Sequence, residues 1–266
     1  MSRLQSKVIV VTGSCTGIGQ AIARRCVAEG ASVIVHGLQQ EQGDELVREL
    51  GPERAVLHIE DLTNDGCPRR IVDLAVTRFG RLDAIVNNAA MIATGNIHNT
   101  DAALFSRFLA INTLAPYLMI QAALPQLQKN HGSVLNIGSV NAHSGEPDLL
   151  PYSVSKGALM TLTRNLGDTL MRECGVRVNQ INPGWVHTEA EDKRKRAEGF
   201  PDNWPSGLPK VFAPAGRILL PQEIAAAAVY WLADESGPVS GQVVDLEQYP
   251  FIGRNPPKDE SAFRNG

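Results

Sequence analysis

Residues 8–19 read VIVVTGSCTGIG, and this stretch decides the fold. Val8 to Val11 is a β-branched run, too short for a helix and apolar at every position, as in a strand buried on both faces. Thr12 to Gly19 follows, with glycines at Gly13, Gly17 and Gly19. Beyond it Ile18, Ile22, Cys26 and Val27 mark one face of a helix, and Gly30 stops it. Residues 32–35 make a second strand. Strand, glycine turn, helix and strand within about thirty residues form a βαβ unit with a phosphate-binding turn. Its glycines let the backbone approach a pyrophosphate, whose charge the amides and dipole of the helix N-terminus attract.

The alternation continues outward. Helices are expected at 40–50, 63–79, 102–129, 152–173 and 221–233, and strands at 55–59, 84–86, 134–137, 176–181 and 242–245. Pro116 marks a bend or turn start inside the long 102–129 region. The expected fold class is α/β: a single-domain Rossmann fold, with a doubly wound parallel sheet and helices on both faces. It spans residues 1–255, ahead of a C-terminal tail at 256–266. In such sheets ligands sit beyond the carboxyl ends of the strands, where Gly13, Asp61, Asn87, Ser139 and Pro183 all fall.

Composition narrows the function classes. The chain has 266 residues, 43% hydrophobic and 20% charged, as one large globular domain requires. A net charge of −3 and no basic stripe argue against nucleic acid. Cys15, Cys26, Cys67 and Cys174 contain no Cys-x-x-Cys pair, so no zinc site, no other metal and no disulfide framework is expected. Reduced thiols suit a cytoplasmic protein. The polar N-terminus and the lack of an apolar run near eighteen residues disfavour secretion and membrane insertion.

Tyr152 and Lys156 lie four residues apart, on one face of a helix if the segment is helical. An ammonium beside a phenol favours its anion and lowers its pKa toward the range useful for proton transfer. Ser139, closing the apolar run 134–137, can hydrogen-bond the same substrate oxygen. Alone the pair is weak, since a surface tyrosine beside a solvated lysine has the same spacing.

The remaining motifs change that. Thr12-Gly13-x-x-x-Gly17-Ile18-Gly19, Asp61-Leu62, Asn87-Asn88-Ala89-Ala90, Asn112, Ser139, Tyr152-x-x-x-Lys156 and Asn182-Pro183-Gly184 with Thr188 occur in order, and the chain resembles the short-chain dehydrogenase/reductase family over nearly its whole length. The resemblance implies an NAD(P)-dependent oxidoreductase that moves a hydride between a nicotinamide cofactor and a secondary alcohol or ketone. Tyr152 would be the catalytic base, Lys156 its partner and a ligand of the nicotinamide ribose, Ser139 the stabiliser of the substrate oxygen, and Asn112 a water-mediated relay. Gly13, Thr16, Gly17, Ile18 and Gly19 would hold the pyrophosphate, Asp61 and Leu62 the adenine, Asn87 would brace the sheet and the adenosine ribose side, and Asn88, chiefly structural, and Ala89 would lie against the cofactor. Pro183, Gly184, Val186 and Thr188 would position the nicotinamide. Ala90 stands where the family usually has glycine.

At the cofactor's 2′ position the family carries an acid for NAD or a cation for NADP. This chain has Gly37 and Leu38, with Thr16 in the loop; without a cation to pair a phosphate dianion, NAD is favoured over NADP. A variable substrate lid is expected at about 189–213, with a solvated charge run and a mobile aromatic flap. Asn141, His143, Trp185 and Trp204 are candidate substrate contacts, suited to a small hydroxylated molecule such as a sugar or polyol. The family's terminal Asp-Gly-Gly is replaced by Asp245-Leu246-Glu247. The resemblance also implies a homotetramer or homodimer. An epimerase or dehydratase on the same fold, or a catalytically silent nicotinamide sensor, are the competing readings.

Overall fold

The computed structural model describes residues 2–206 and 208–252, so the tail and the expected boundary at 255 lie outside the described residues. Strand β1 (Val8–Val11) is buried at all four positions because parallel neighbours flank it on both sides, β2 (Ser32–Gly37) and β4 (Ala84–Asn87). Its alternating side chains feed two cores. Ile9 and Val11 join Ile22 of α1 (Gly17–Ala28) and Ile224 and Val229 of α9 (Pro221–Leu232). Val8 and Val10 join Ile71 of α3 (Cys67–Phe79) and Met119 of α5 (Ala115–Lys129) on the other face. Removing each such side chain from water is worth about 1.5–3 kcal/mol, which is why an unbroken apolar run sits at the centre.

The sheet has seven parallel strands in the order β3-β2-β1-β4-β5-β6-β7, with β3 at Ala55–Ile59, β5 at Ser133–Ile137, β6 at Arg177–Pro183 and β7 at Val243–Leu246. The chain runs outward from β1 to β3 and then returns to start β4 on the other side of β1. That reversal opens a crevice at the carboxyl ends of β1 and β4, where doubly wound sheets bind ligands.

The helices depart from expectation in places. α2 (Gln40–Leu50) forms as expected, whereas α3 begins at Cys67, because Thr63 and Asn64 first turn back onto Asp61. The 102–129 region divides into α4 (Ala102–Leu109), a π turn (Ala110–Leu114) and α5. The bend belongs to the π turn; Pro116 lies in the first turn of α5, where a missing amide proton costs little. This region is also long and apolar enough to cross a membrane by composition, with mean hydropathy 1.4, contrary to the expectation that no such run exists. Its buried residues Met119, Ile120, Ala123 and Leu127 pack in the sheet's second core. α6 (Asn141–Ser144) is a single turn; α7 (Leu150–Cys174) starts two residues before Tyr152; and α8 (Glu189–Ala197) begins the lid.

Candidate active site

The glycine turn fits a pyrophosphate. α1 starts at Gly17 with no side-chain cap on Thr16 and no acid in its first turn, so its first amides face outward as donors. Gly13 holds φ +62°, and a Cβ there would lie 2.7 Å from the Ala89 Cα. Asn88 Nδ2 donates to the carbonyls of Thr12 and Gly13, each at 2.9 Å, and so stitches the turn from β4. Beside it Asn87 is buried, with Nδ2 on Asn136 Oδ1 at 2.9 Å and its own Oδ1 without a protein donor. Across the sheet the Asp61 carboxylate takes the Thr63 amide and hydroxyl, which hold its pKa below the usual range, and Leu62 is buried next to it.

At the 2′ position, the space an acid would fill is occupied. A Cβ on Gly37 would lie 2.5 Å from Cys15 Sγ, while Leu38 next to it is exposed. Burial raises the Cys15 thiol pKa, the Gln39 backbone opposes the rise and the negative charge of Asp44 adds to it.

Tyr152 and Lys156 share one face of α7 and both are buried. Tyr152 hydrogen-bonds Ser139, whose amide donates to Asn182 Oδ1 at 3.2 Å. Lys156 Nζ donates to the Ile137 carbonyl at 2.8 Å and lies 5.7 Å from the Tyr152 ring centroid. The electrostatics correct the sequence reading. Burial pushes the Tyr152 phenol up to about 12, against the opposing Ser139 bond, and the charge of Glu191 adds to the rise. Burial also lowers the Lys156 ammonium to about 8. Desolvation thus works against ionising the phenol, in the direction opposite to the attraction expected from the Tyr152–Lys156 spacing.

Asn112 lies in the π turn with its side chain committed elsewhere. Oδ1 takes the Met91 amide at 2.8 Å, and Nδ2 donates to the Met91 carbonyl and Ser155 Oγ. It anchors α7 to the loop after β4. The turn after β6 meets the glycine loop: the Thr188 methyl would touch a Cβ on Gly17 at 3.6 Å, and the Pro183 carbonyl takes the Val140 amide at 3.1 Å. Val186 is buried and bridges to Leu219.

The candidate substrate contacts separate. Asn141 stays near Ser139, its amide on Ser139 Oγ at 3.2 Å. The imidazole of His143 turns to β7, with Nε2 2.9 Å from Asp245 Oδ1. Trp185 and Trp204 stack at 5.3 Å, and their indole nitrogens donate to Glu191 at 2.7 Å and Asp192 at 2.8 Å. Lys195 lies over Trp185 and Phe200, and Trp204, Ala213 and Ile218 form a small separate core. The aromatic stretch is thus a packed miniature core rather than an open flap, and its indole donors are already used.

Two features escaped the sequence reading. Glu191 sits inside the charge run read as solvated, yet its side chain is 11% exposed, in an ion pair with Arg194 at 2.7 Å, and its charge reaches Tyr152. A buried row also crosses the sheet beneath the site. Asn136 Nδ2 donates to Thr163 Oγ1, Thr163 Oγ1 to Gln180 Oε1, Gln180 Nε2 to Asn182 Oδ1 and Asn182 Nδ2 to Asp245 Oδ1, at 2.7–3.0 Å. Polar residues at 177, 179, 180 and 182 in a strand buried at every position were the available signal. His58, Glu60 and Cys67 also converge, but Arg70 grips the Glu60 carboxylate and burial raises the Cys67 thiol to about 12, a poor state for a metal ligand.

Known proteins agree with this geometry. A family model described as enoyl-(acyl carrier protein) reductase matches residues 13–247. An oxidoreductase of Thermotoga maritima is 34% identical over 249 residues, covering 91% of this chain and 96% of its own. The L-fucose dehydrogenase of Bos taurus is 36% identical, covering 88% and 86%. The 2-(S)-hydroxypropyl-CoM dehydrogenase 3 of Xanthobacter autotrophicus is 33% identical, covering 90% and 94%. With its serine, tyrosine and lysine gathered at the crevice beside a nucleotide turn, the chain belongs to the short-chain dehydrogenase/reductase family of nicotinamide-dependent oxidoreductases.

Proposed function

We propose that the protein is an NAD-dependent dehydrogenase of a small hydroxylated substrate, a sugar or polyol. The observation that carries this reading is Glu191, a mostly buried carboxylate whose charge acts on the Tyr152 phenol. Its oxygens are already held by the Trp185 indole and the Arg194 guanidinium, so it acts on the pocket through its charge, and a charged, polar rim suits hydroxyl groups better than an apolar alcohol. Arg194 beside it is influenced by Glu146, and Asn141 Nδ2 reaches Glu146 Oε2 at 3.4 Å, so acceptors and donors line the rim. The similarity to a fucose dehydrogenase points the same way.

The bound nicotinamide supplies the two-electron hydride acceptor or donor. Tyr152 exchanges the hydroxyl proton, Ser139 donates to the substrate oxygen and Lys156 holds positive charge nearby. NAD is favoured because residues 36–44 contain acids at Glu41 and Asp44 and neither lysine nor arginine. Leu114 and Tyr117 at the π turn and α5, with Val154 on α7, are exposed apolar residues that support a homo-oligomer. Four free cysteines, three of them buried, support a reducing compartment such as the cytoplasm.

The test is a panel of sugars, polyols and apolar alcohols with NAD and NADP in parallel. Tyr152→Phe should abolish turnover of the accepted substrate and leave cofactor binding within about threefold, since one hydroxyl is lost and the ring remains. Activity confined to apolar alcohols would overturn the substrate class, and a preference for NADP the cofactor.

A further inference from the structure

Three successive polar side chains near the end of the described chain reach three different walls of the site. Asp245 in β7 holds His143 at 2.9 Å and Asn182 at 3.0 Å, and Asn182 in turn receives the Ser139 amide. Glu247 Oε2 takes the Trp185 amide at 3.0 Å, and its Oε1 takes the Gln248 amide at 2.6 Å. Gln248 takes the Ala215 amide at 2.8 Å and donates to the Arg217 carbonyl at 2.6 Å, on the segment that leads back from the lid.

Glu247 is the middle of this strap and touches the most consequential wall. A Cβ on Gly184 would overlap the Glu247 carboxylate, so the turn accepts this side chain only because residue 184 is glycine. The Gly184 amide also donates to the Leu246 carbonyl at 2.8 Å. The turn held this way links the two ends of the crevice, through the Pro183 carbonyl to the segment carrying Ser139 and through Thr188 to Gly17. The adenine-side residues Asp61 and Leu62 follow β3, at the opposite edge of the sheet from β7.

We propose that Glu247 is a positioning residue for the reacting half of the nicotinamide cofactor, acting through the Gly184–Trp185 backbone. The proposal rests on the nicotinamide-dependent reading of the site. It requires that Glu247 matter to the nicotinamide half of the cofactor and not to the adenosine diphosphate half.

The experiment titrates wild type, Glu247→Ala and Glu247→Gln with NADH, followed by nicotinamide fluorescence, and with ADP-ribose, followed by calorimetry. Loss of one charge-assisted acceptor to the Trp185 amide should weaken NADH about tenfold in Glu247→Ala, with ADP-ribose changed less than about twofold. Glu247→Gln keeps an oxygen for the Trp185 amide but turns its NH2 toward the Gln248 amide, so its NADH affinity should fall between those of wild type and Glu247→Ala, with ADP-ribose again changed less than about twofold. Should Glu247→Ala not fold, Glu247→Gly, which restores the family's own residue type, carries the same expectation. Parallel weakening of NADH and ADP-ribose would mark a merely structural role and overturn the proposal, as would unchanged NADH binding in the alanine or glycine variant. A wild type that binds neither nucleotide would remove the cofactor reading itself, and the proposal with it.

Discussion

Lys156→Met should make the free protein more stable at neutral pH, and that advantage should vanish as the pH rises. Lys156 is 2% exposed, and its ammonium donates to the Ile137 carbonyl. Burial lowers its pKa from 10.5 to about 8, which at about 1.4 kcal/mol per pH unit means that carrying the charge costs roughly 3 kcal/mol at pH 7. Methionine fills a similar channel but leaves the carbonyl without a donor, at about 1–2 kcal/mol. The net gain is on the order of 1–2 kcal/mol. The sign of the pH dependence follows from the lowered value. Between pH 8 and 10.5 the unfolded lysine holds more proton than the folded one, so wild-type stability rises through that window. The methionine variant lacks this rise, and the two curves should approach and then cross. Urea unfolding at several pH values from 7 to 10, read as the difference between the two proteins, isolates the effect from the Tyr152 and cysteine titrations common to both. Parallel curves, or a methionine advantage that grows with pH, would refute the reasoning, and the variant should be catalytically dead throughout.

Two further outcomes follow from named contacts. Gly37→Asp alone should lower stability by about 1–3 kcal/mol, because its Cβ meets Cys15 Sγ at 2.5 Å; adding Cys15→Ala should restore the melting temperature and raise the ratio of NAD to NADP activity. Trp204→Ala removes the centre of the lid's small core, and the loss should appear as faster proteolysis within 189–213, with the global melting temperature falling less than the roughly 3–5 kcal/mol of a main-core tryptophan would require.

The βαβ start was legible because its signals are local: a run apolar at every position, then glycines, then a helical stripe. The doubly wound parallel sheet followed, since alternating strands and helices leave few topologies, but its strand order came only with the structure. The π turn was not legible, because one extra residue in a helical turn has no composition of its own, and Pro116 drew attention to the wrong residue. The Tyr152–Lys156 spacing predicted an attraction but said nothing about how deeply both groups are buried, and desolvation works against ionising the phenol. Glu191 is chemically the same as the solvated acids around it; only the fold distinguishes it. Trp185 and Trp204 stack on each other, and their indole nitrogens have partners within the same charge run.

The buried row from Asn87 to Asp245 has a direction. Every amide in it donates toward β7, and the last acceptor is a carboxylate, which when ionised has no proton to give. Such a terminus favours one orientation of the amides next to it, and at Asn182 the Ser139 amide, which needs the same oxygen as acceptor, favours it too. The segment carrying the catalytic serine and the edge strand β7 thus hold Asn182 from its two ends, so an asparagine at 245, able to accept as well as donate, would leave the Ser139 amide as the group that keeps the row's polarity.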